Sequence, residues 1–212
     1  MFEALGASEH RWAETRSGAI HRAFDTACAA CGLILLSPVF VAIAALIKLD
    51  DAGPIFYKQP RIGRRFQPFQ VFKFRTMTPG ADGKGLLTAC GDARVTRVGR
   101  RLRAYKLDEL PQLINVFRGE MQLVGSRPEV ARYVERFHGQ YALLLQGRPG
   151  ITDPATLAFR HEDQILSGDG IEEQYLASVL PEKLRLSLEY QQRRTFLSDI
   201  LVLLQTVLGL AA

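Results

Sequence analysis

The polar residues best placed for chemistry lie in Lys106-Leu107-Asp108-Glu109-Leu110-Pro111. Asp108 and Glu109 fall at the predicted N-terminus of a helix, where unpaired N–H groups and the positive end of the dipole favour anions. A carboxylate kept ionised there suits a nucleophile or a metal ligand. The same pair could instead only cap the helix, since acidic residues are common in a first turn. Arginines surround it in sequence. Arg94, Arg97, Arg100, Arg101 and Arg103 lie upstream, and Gly125-Ser126-Arg127-Pro128 lies downstream. Arginine forks match phosphate oxygens with two parallel hydrogen bonds. Two carboxylates amid arginines, with a glycine loop, suit Mg²⁺ and a diphosphate substrate. Mn²⁺ prefers the same oxygen ligands, so the pattern leaves it open. On pattern alone the basic stretch could also be a solvated face or a surface for lipid headgroups.

The charge is unevenly placed. The 212 residues carry a net charge of +5. Residues 58–106 hold 13 Lys and Arg against Asp82 and Asp92, a local net of +11. The residues before and after this belt are both net acidic, at −2 and −4. Such an excess calls for anionic partners: phosphates, nucleic acid or acidic lipid. Nucleic acid is poorly served, because Tyr105 is the only aromatic between Arg94 and Lys106 for a base to stack on. Three cysteines make no disulfide framework and point to a reducing compartment. Cys28 and Cys31 have redox spacing in an apolar setting and read as small buried residues.

An uncharged run, Ala27 to Ile47, precedes the belt. As one straight helix it could span a hydrocarbon core of roughly 30 Å. Ser37-Pro38 stands near its middle, and proline there kinks or breaks a helix. Each arm is then about a dozen residues, or roughly 18 Å, too short to cross. The run fits a re-entrant hairpin, a kinked span or a buried helix pair. A signal peptide fits poorly, because the segment ahead of the run is long and contains Glu3, Glu9, Glu14 and Asp25.

The remaining elements must position the acidic pair. Ile55–Lys58 and Phe69–Arg75 read as strands around a basic turn at Pro60–Arg65. Residues 78–91 hold four glycines and read as a loop or lid. Leu110, Leu113, Ile114 and Phe117 form an apolar helix face, with Pro111 in the first turn. Val130 to Leu145 reads as one helix, and another runs from Pro181 to about Arg194. The apolar tail 196–212 carries Ser198, Asp199, Gln205 and Thr206, and fits an interfacial or protein-packed helix.

The motifs, taken together, resemble the bacterial sugar transferase family, the monotopic phosphoglycosyl transferases. The resemblance rests on Ser37-Pro38, Gly53-Pro54, Arg61-Ile62-Gly63 and Lys73-Phe74-Arg75-Thr76-Met77. It continues through Arg94-Val95-Thr96-Arg97, Arg103, Leu107-Asp108-Glu109-Leu110-Pro111-Gln112 and Asn115. It closes with Gly119-Glu120-Met121, Gly125-Ser126-Arg127-Pro128 and Arg148-Pro149-Gly150-Ile151-Thr152. It implies an α+β, helix-rich monotopic membrane fold. Its parts are a re-entrant helix-break-helix, a small β-hairpin, an active-site helix and interfacial amphipathic helices. The implied division is a polar segment over 1–17, the re-entrant helix over 18–49, a catalytic domain over 50–195 and an interfacial helix over 196–212. The break matches Ser37 and Pro38.

The resemblance also implies a reaction. Asp108 attacks the β-phosphate of a UDP-sugar, UMP leaves, and a polyprenyl phosphate (undecaprenyl phosphate in most bacteria) takes the sugar phosphate from the aspartyl intermediate. Glu109, with Asp108, helps to hold Mg²⁺. Lys73, Arg75, Arg97, Arg103 and Arg127 match phosphate or substrate positions. The implied place is the bacterial cytoplasmic membrane, with the catalytic domain on the cytoplasmic face. Implied partners are downstream glycosyltransferases and no nucleic acid, and a homodimer is left open. Two segments depart from the family. Gly125-Ser126-Arg127-Pro128 replaces a commoner Gly-Pro-Arg-Pro, and Asp153–Glu162 replaces a commoner Gly-Trp-Ala-Gln. Arg160 or Glu162 could do substrate work there, whereas His161 reads as a surface residue. The chain resembles the minimal family form, without a multi-span region ahead of the catalytic part. The rival readings are a non-catalytic basic scaffold on acidic lipid and a membrane-tethered nucleic-acid binder. A scaffold should tolerate Asp108→Asn.

Overall fold

The computed structural model describes residues 16–81, 92–165 and 170–210. Most of the expected N-terminal polar segment and of the glycine-rich loop falls outside them. The chain is helix-rich, with two small sheets. Helix α1 (Arg16–Leu35) and helix α2 (Ser37–Asp50) meet at Leu36 and are bent by 59°. Pro38 has no N–H to give to the Ile34 carbonyl, and the Ser37 hydroxyl supplies that bond at 2.8 Å. Proline breaks the ladder and serine satisfies the carbonyl it orphans. No single described helix is long and apolar enough to cross a membrane, although the bent pair together would be.

Strands β1 (Phe56–Ile62) and β2 (Pro68–Phe74) form the expected antiparallel hairpin, with Phe56 opposite Phe74 and Ile62 opposite Pro68. The first strand is longer than its sequence suggests. Pro60, Arg61 and Ile62 belong to β1, and the turn moves to Gly63–Gln67. A two-stranded ribbon has only edges, so proline is tolerated there. Helix α3 (Arg97–Ala104) follows, with the Thr96 side chain capping it at the Gly99 N–H, 3.0 Å away. Gly99 is required here: a Cβ would lie 2.1 Å from the Thr76 carbonyl oxygen. That close approach seats α3 on the end of β2. A 3₁₀ turn (Leu107–Glu109) then leads into α4 (Gln112–Arg118).

Helix α4 buries a different face from the one its apolar residues suggest. Gln112, Asn115 and Val116 are buried, whereas Phe117 is 51% exposed. Leu113 does pack inward, against Gly32 of α1. Asn115 explains the difference. Its Oδ1 accepts from Phe72 N at 3.0 Å, and its Nδ2 donates to the Gln70 carbonyl at 2.7 Å. A buried amide is stable when satisfied in this way. Arg22 of α1 grips the other end of α4, donating to the carbonyls of Val116 at 2.6 Å and Phe117 at 2.9 Å. Cations at a helix C-terminus favour its dipole as well as its carbonyls.

A second sheet, absent from the sequence reading, pairs β3 (Gln122–Val124) in parallel with β4 (Gly150–Thr152). Gly150 lies so close to Gly125 that a Cβ would sit 2.1 Å from the Gly125 nitrogen. The helix expected over Val130–Leu145 is two, α5 (Ala131–Arg136) and α6 (His138–Leu144), divided at Phe137. Gly139, a poor helix former, sits just past the division. Short helices α7 (Pro154–Ala158), α8 (Glu162–Ile165) and α9 (Ile171–Gln174) follow. A π turn (Tyr175–Val179) then runs into α10 (Leu180–Arg193). Helical backbone therefore starts well before Pro181. The missing proline N–H weakens the α ladder, and the widened turn lies directly ahead of it. Helix α11 (Phe196–Leu210) closes the described chain.

Three apolar clusters result. One joins α5, α6, the π turn and α10 around Tyr133, Tyr141 and Tyr175. One joins α1, β2, α4, β3 and α11 around Val71, Val116 and Met121. One seats α2 and α3 on Phe74 through Ile43, Ile47 and Leu102. Cys31, expected to be buried, is exposed, and Cys28 is half-buried. Both lie on α1, whose outer side also exposes Ile34 and Leu35.

Candidate active site

Four segments meet at the acidic pair. The 3₁₀ turn carries Asp108 and Glu109, β2 carries Lys73, α3 carries Arg103, and the loop after β3 carries Arg127. The turn begins on Lys106, whose backbone is left-handed at φ 54°. The acidic pair is therefore not the first turn of α4, as its sequence suggests. Pro111 takes the flanking position of α4, and neither carboxylate caps that helix.

Glu109 is held by two cations. Its Oε1 accepts from Lys73 Nζ at 2.9 Å and from Arg127 Nη2, and its Oε2 accepts from Arg127 Nη1 at 2.9 Å. Burial alone would raise its pKa. Arg127 and Lys73 outweigh that and hold it well below the usual carboxylate range. Burial pulls the Lys73 ammonium down, against the pull of Glu109. Glu109 in turn raises Arg127.

Asp108 is the opposite case. It is 7% exposed, and its Oδ1 is buried without a hydrogen-bond partner among the described residues. Burial, then the Glu109 charge, push its pKa up, while Lys73, Arg103 and Lys106 pull it down. A buried carboxyl oxygen without a donor, amid three cations, is an unusual and costly arrangement.

The other expected phosphate residues separate. Arg103 joins the site, with Nε donating to Thr76 Oγ1 at 2.9 Å and its charge felt by Asp108. Arg75 does not. It is buried and tied to Asp51, to Oδ2 at 3.2 Å and to the backbone carbonyl at 2.9 Å. It locks the end of β2 to the loop after α2, because a buried guanidinium takes the nearest carboxylate. Arg97 is exposed at the start of α3, where its charge acts on Asp50. In the departing segment, Arg160 donates to the Gly209 carbonyl of α11, and Glu162 pairs with Lys183 at 2.6 Å. His161 is exposed, as expected.

Sequence reasoning missed Glu129, Tyr175 and Lys183, which share the interior beside Arg127. Glu129 could have been flagged as an acid two residues past a key arginine. Nothing in the spacing of Tyr175 or Lys183 marks them.

The family assignment follows from comparison. The model of the bacterial sugar transferase family matches residues 16–212. The chain belongs to the bacterial sugar transferase family. It is 37% identical over 190 residues to the UDP-glucose:undecaprenyl-phosphate glucose-1-phosphate transferase of Caulobacter vibrioides, covering 88% of this chain and 67% of that relative. It is 36% identical over 175 residues to the exopolysaccharide production protein ExoY of Rhizobium meliloti, covering 75% and 77% of the two chains. An Aeromonas hydrophila relative is named UDP-N-acetylgalactosamine-undecaprenyl-phosphate N-acetylgalactosaminephosphotransferase. It is 39% identical over 137 residues, which cover 63% of this chain and 32% of that one. Among bacterial sugar transferases, then, similar chains carry names with different sugars. The resemblance read from the motifs and the matched span agree.

Proposed function

We propose that this transferase moves a sugar 1-phosphate from a UDP-sugar to a polyprenyl phosphate, undecaprenyl phosphate in most bacteria, with release of UMP. The observation that carries the reading is the unpartnered, buried Oδ1 of Asp108 beside Lys73, Arg103 and the Arg127–Glu109 pair. The relatives' names support the same donor and acceptor classes.

The chemistry runs in two displacements. Asp108 Oδ1 bonds to the β-phosphorus of the donor, and the bond from that phosphorus to the bridging oxygen breaks. The bridging oxygen and its electron pair leave with UMP. An oxygen of polyprenyl phosphate then bonds to the same phosphorus, and Asp108 departs as a carboxylate. A carboxylate is a weak nucleophile, so it needs a phosphoryl group whose charge is neutralised. Lys73, Arg103 and Arg127 supply that. Splitting the transfer predicts ping-pong kinetics.

The donor set fits Mg²⁺, with Mn²⁺ as an alternative. Glu109 Oε2 accepts one bond and can take another, and Asp108, while its Oδ1 attacks, has a second oxygen that could share the metal. Mg²⁺ is commonly held by one or two carboxylates together with substrate phosphates. Asp108 and Glu109 would hold it, and when bound it neutralises diphosphate charge. Among the described residues no group of three or more His, Cys, Asp or Glu could form a cage without substrate.

We place the catalytic part on the cytoplasmic face of the bacterial cytoplasmic membrane. The bent α1–α2 pair would dip into one leaflet and return. Exposed Ile34, Leu35, Val41 and Leu49 on that pair, and Leu201, Leu204 and Leu208 on α11, support this arrangement. A lipid acceptor and a soluble nucleotide sugar then meet at the interface. The product is a lipid-linked sugar on which downstream glycosyltransferases build exopolysaccharide, O-antigen, capsule or a glycoprotein glycan. The test is UMP release from a panel of UDP-sugars with detergent-solubilised protein, Mg²⁺ and undecaprenyl phosphate. Turnover with one sugar, lost in Asp108→Asn, is expected. No release from any UDP-sugar by folded protein would overturn the reading.

A further inference from the structure

Among the described residues Arg127 is the one guanidinium that touches Glu109, yet it lies on a loop. Its pose therefore needs support from elsewhere. Two residues on, Glu129 is buried and fixed from three sides. Its backbone carbonyl accepts from Ile62 N at 2.9 Å. Its Oε2 accepts from Arg61 Nη1 at 2.6 Å, and its Oε1 from Tyr175 OH at 2.8 Å. Arg61 also reaches the Pro128 carbonyl at 3.2 Å, gripping the Pro128–Glu129 peptide just after Arg127.

Tyr175 opens the π turn. Such single wide turns are uncommon, strained relative to a regular helix, and often found at functional sites. Here the turn buries Tyr175 to 1% exposure with its hydroxyl on Glu129. Lys183, about two turns along the same rod, lies over the Tyr175 ring with Nζ 5.4 Å from the centroid. It is 8% exposed and is balanced by Glu162, 2.6 Å away. Ser126, Arg127, Glu129 and Lys183 line one small cavity. Glu162 thus links the segment that departs from the family to the wall behind Arg127. The charges alternate, so each member has an opposite neighbour, as buried ions require.

We propose that Glu129 and Tyr175 are positioning residues that hold Arg127 against Glu109, with the Lys183–Glu162 pair completing the clamp. The inference rests on the transferase reading above. It concerns how Arg127 is aimed, not which groups react. Small misplacements of a transition-state partner are costly. Tyr175→Phe, which removes one hydroxyl and keeps the ring, lowers kcat by about tenfold with the KM for UDP-sugar little changed. Glu162→Gln, at the half-exposed rim, lowers it by about threefold.

The deciding experiment is a double-mutant cycle of Tyr175→Phe with Arg127→Lys, following UMP release and thermal unfolding of each variant. If Tyr175 acts through Arg127, it costs less than about twofold once Arg127 is lysine. Full additivity would overturn the proposal, as would unchanged kcat in both Tyr175→Phe and Glu162→Gln. If Arg127→Lys is too slow to follow, or Tyr175→Phe does not fold, the kcat of the remaining single variant decides alone. Absence of turnover in the wild-type protein would strike the transferase reading instead, so the two failures are told apart.

Discussion

Asp108 and Glu109 are neighbours in sequence and opposites in environment. Glu109 is paired twice, and Asp108 Oδ1 has no partner among the described residues. The two should therefore respond oppositely to neutralisation. Glu109 has its pKa below the ordinary 4.5, so its stabilisation is present above that pH and lost as pH falls through the lowered value. Asp108 has its pKa above the ordinary 3.8, so its charge costs stability as pH rises through the raised value. At neutral pH, Asp108→Asn should abolish turnover and raise the unfolding midpoint by a few degrees, about 1 kcal/mol. Glu109→Gln should lower the midpoint by roughly 5 °C, about 2 kcal/mol, since Lys73 and Arg127 lose their counter-charge in a partly screened site. Differential scanning fluorimetry of both variants in detergent checks the pair of signs. A shift in the same direction for both would contradict the assigned environments. If Asp108 reacts as a carboxylate, as proposed, the acid limb of kcat/KM should likewise lie above pH 3.8.

At the scale of elements, the site hangs on α4 and β2. Asn115 joins them through Phe72 N and the Gln70 carbonyl, and β2 delivers Lys73 one residue later. Asn115→Ala would leave that N–H unpaired and open a void. A loss of about 2 kcal/mol and a larger loss of turnover are expected, measured by denaturant unfolding and UMP release. The sequence was informative where local rules dominate. Pro38 announced the break, alternation announced β2, and the Lys73, Asp108 and Arg127 words announced three members of the site. It was silent where tertiary contacts decide. The two three-residue strands β3 and β4 are too short to show a period. The buried face of α4 follows Asn115, a polar residue that periodicity assigns to solvent. Arg75, read as a phosphate residue, is bonded in the structure to Asp51, a partner that no local pattern points to. No pattern of apolar residues foretells a π turn.

At the scale of the molecule, apolar helices lie at both ends of the described chain and the charged site lies between them. Arg22 of α1 links them by gripping the end of α4, so the bent pair and the acidic turn share one rigid path. If the bend at Leu36 makes α1–α2 re-entrant, its two ends lie on one face of the membrane. Replacing Ser37 and Pro38 together by alanine restores the missing N–H and should straighten the pair into a span. A cysteine placed at His10 would then move to the opposite face, read by labelling with an impermeant thiol reagent in oriented vesicles. Labelling from the original face alone would contradict the re-entrant account.

In the proposed reaction Asp108 carries the sugar phosphate between donor and acceptor. The most direct measurement is the intact mass of the protein after incubation with its UDP-sugar and Mg²⁺, without any polyprenyl phosphate. A mass increase of one phosphosugar is expected, with up to one equivalent of UMP released, and neither in Asp108→Asn. Full turnover on adding the lipid, with no adduct and no UMP before it, would contradict the account and point to direct transfer from UDP-sugar to lipid.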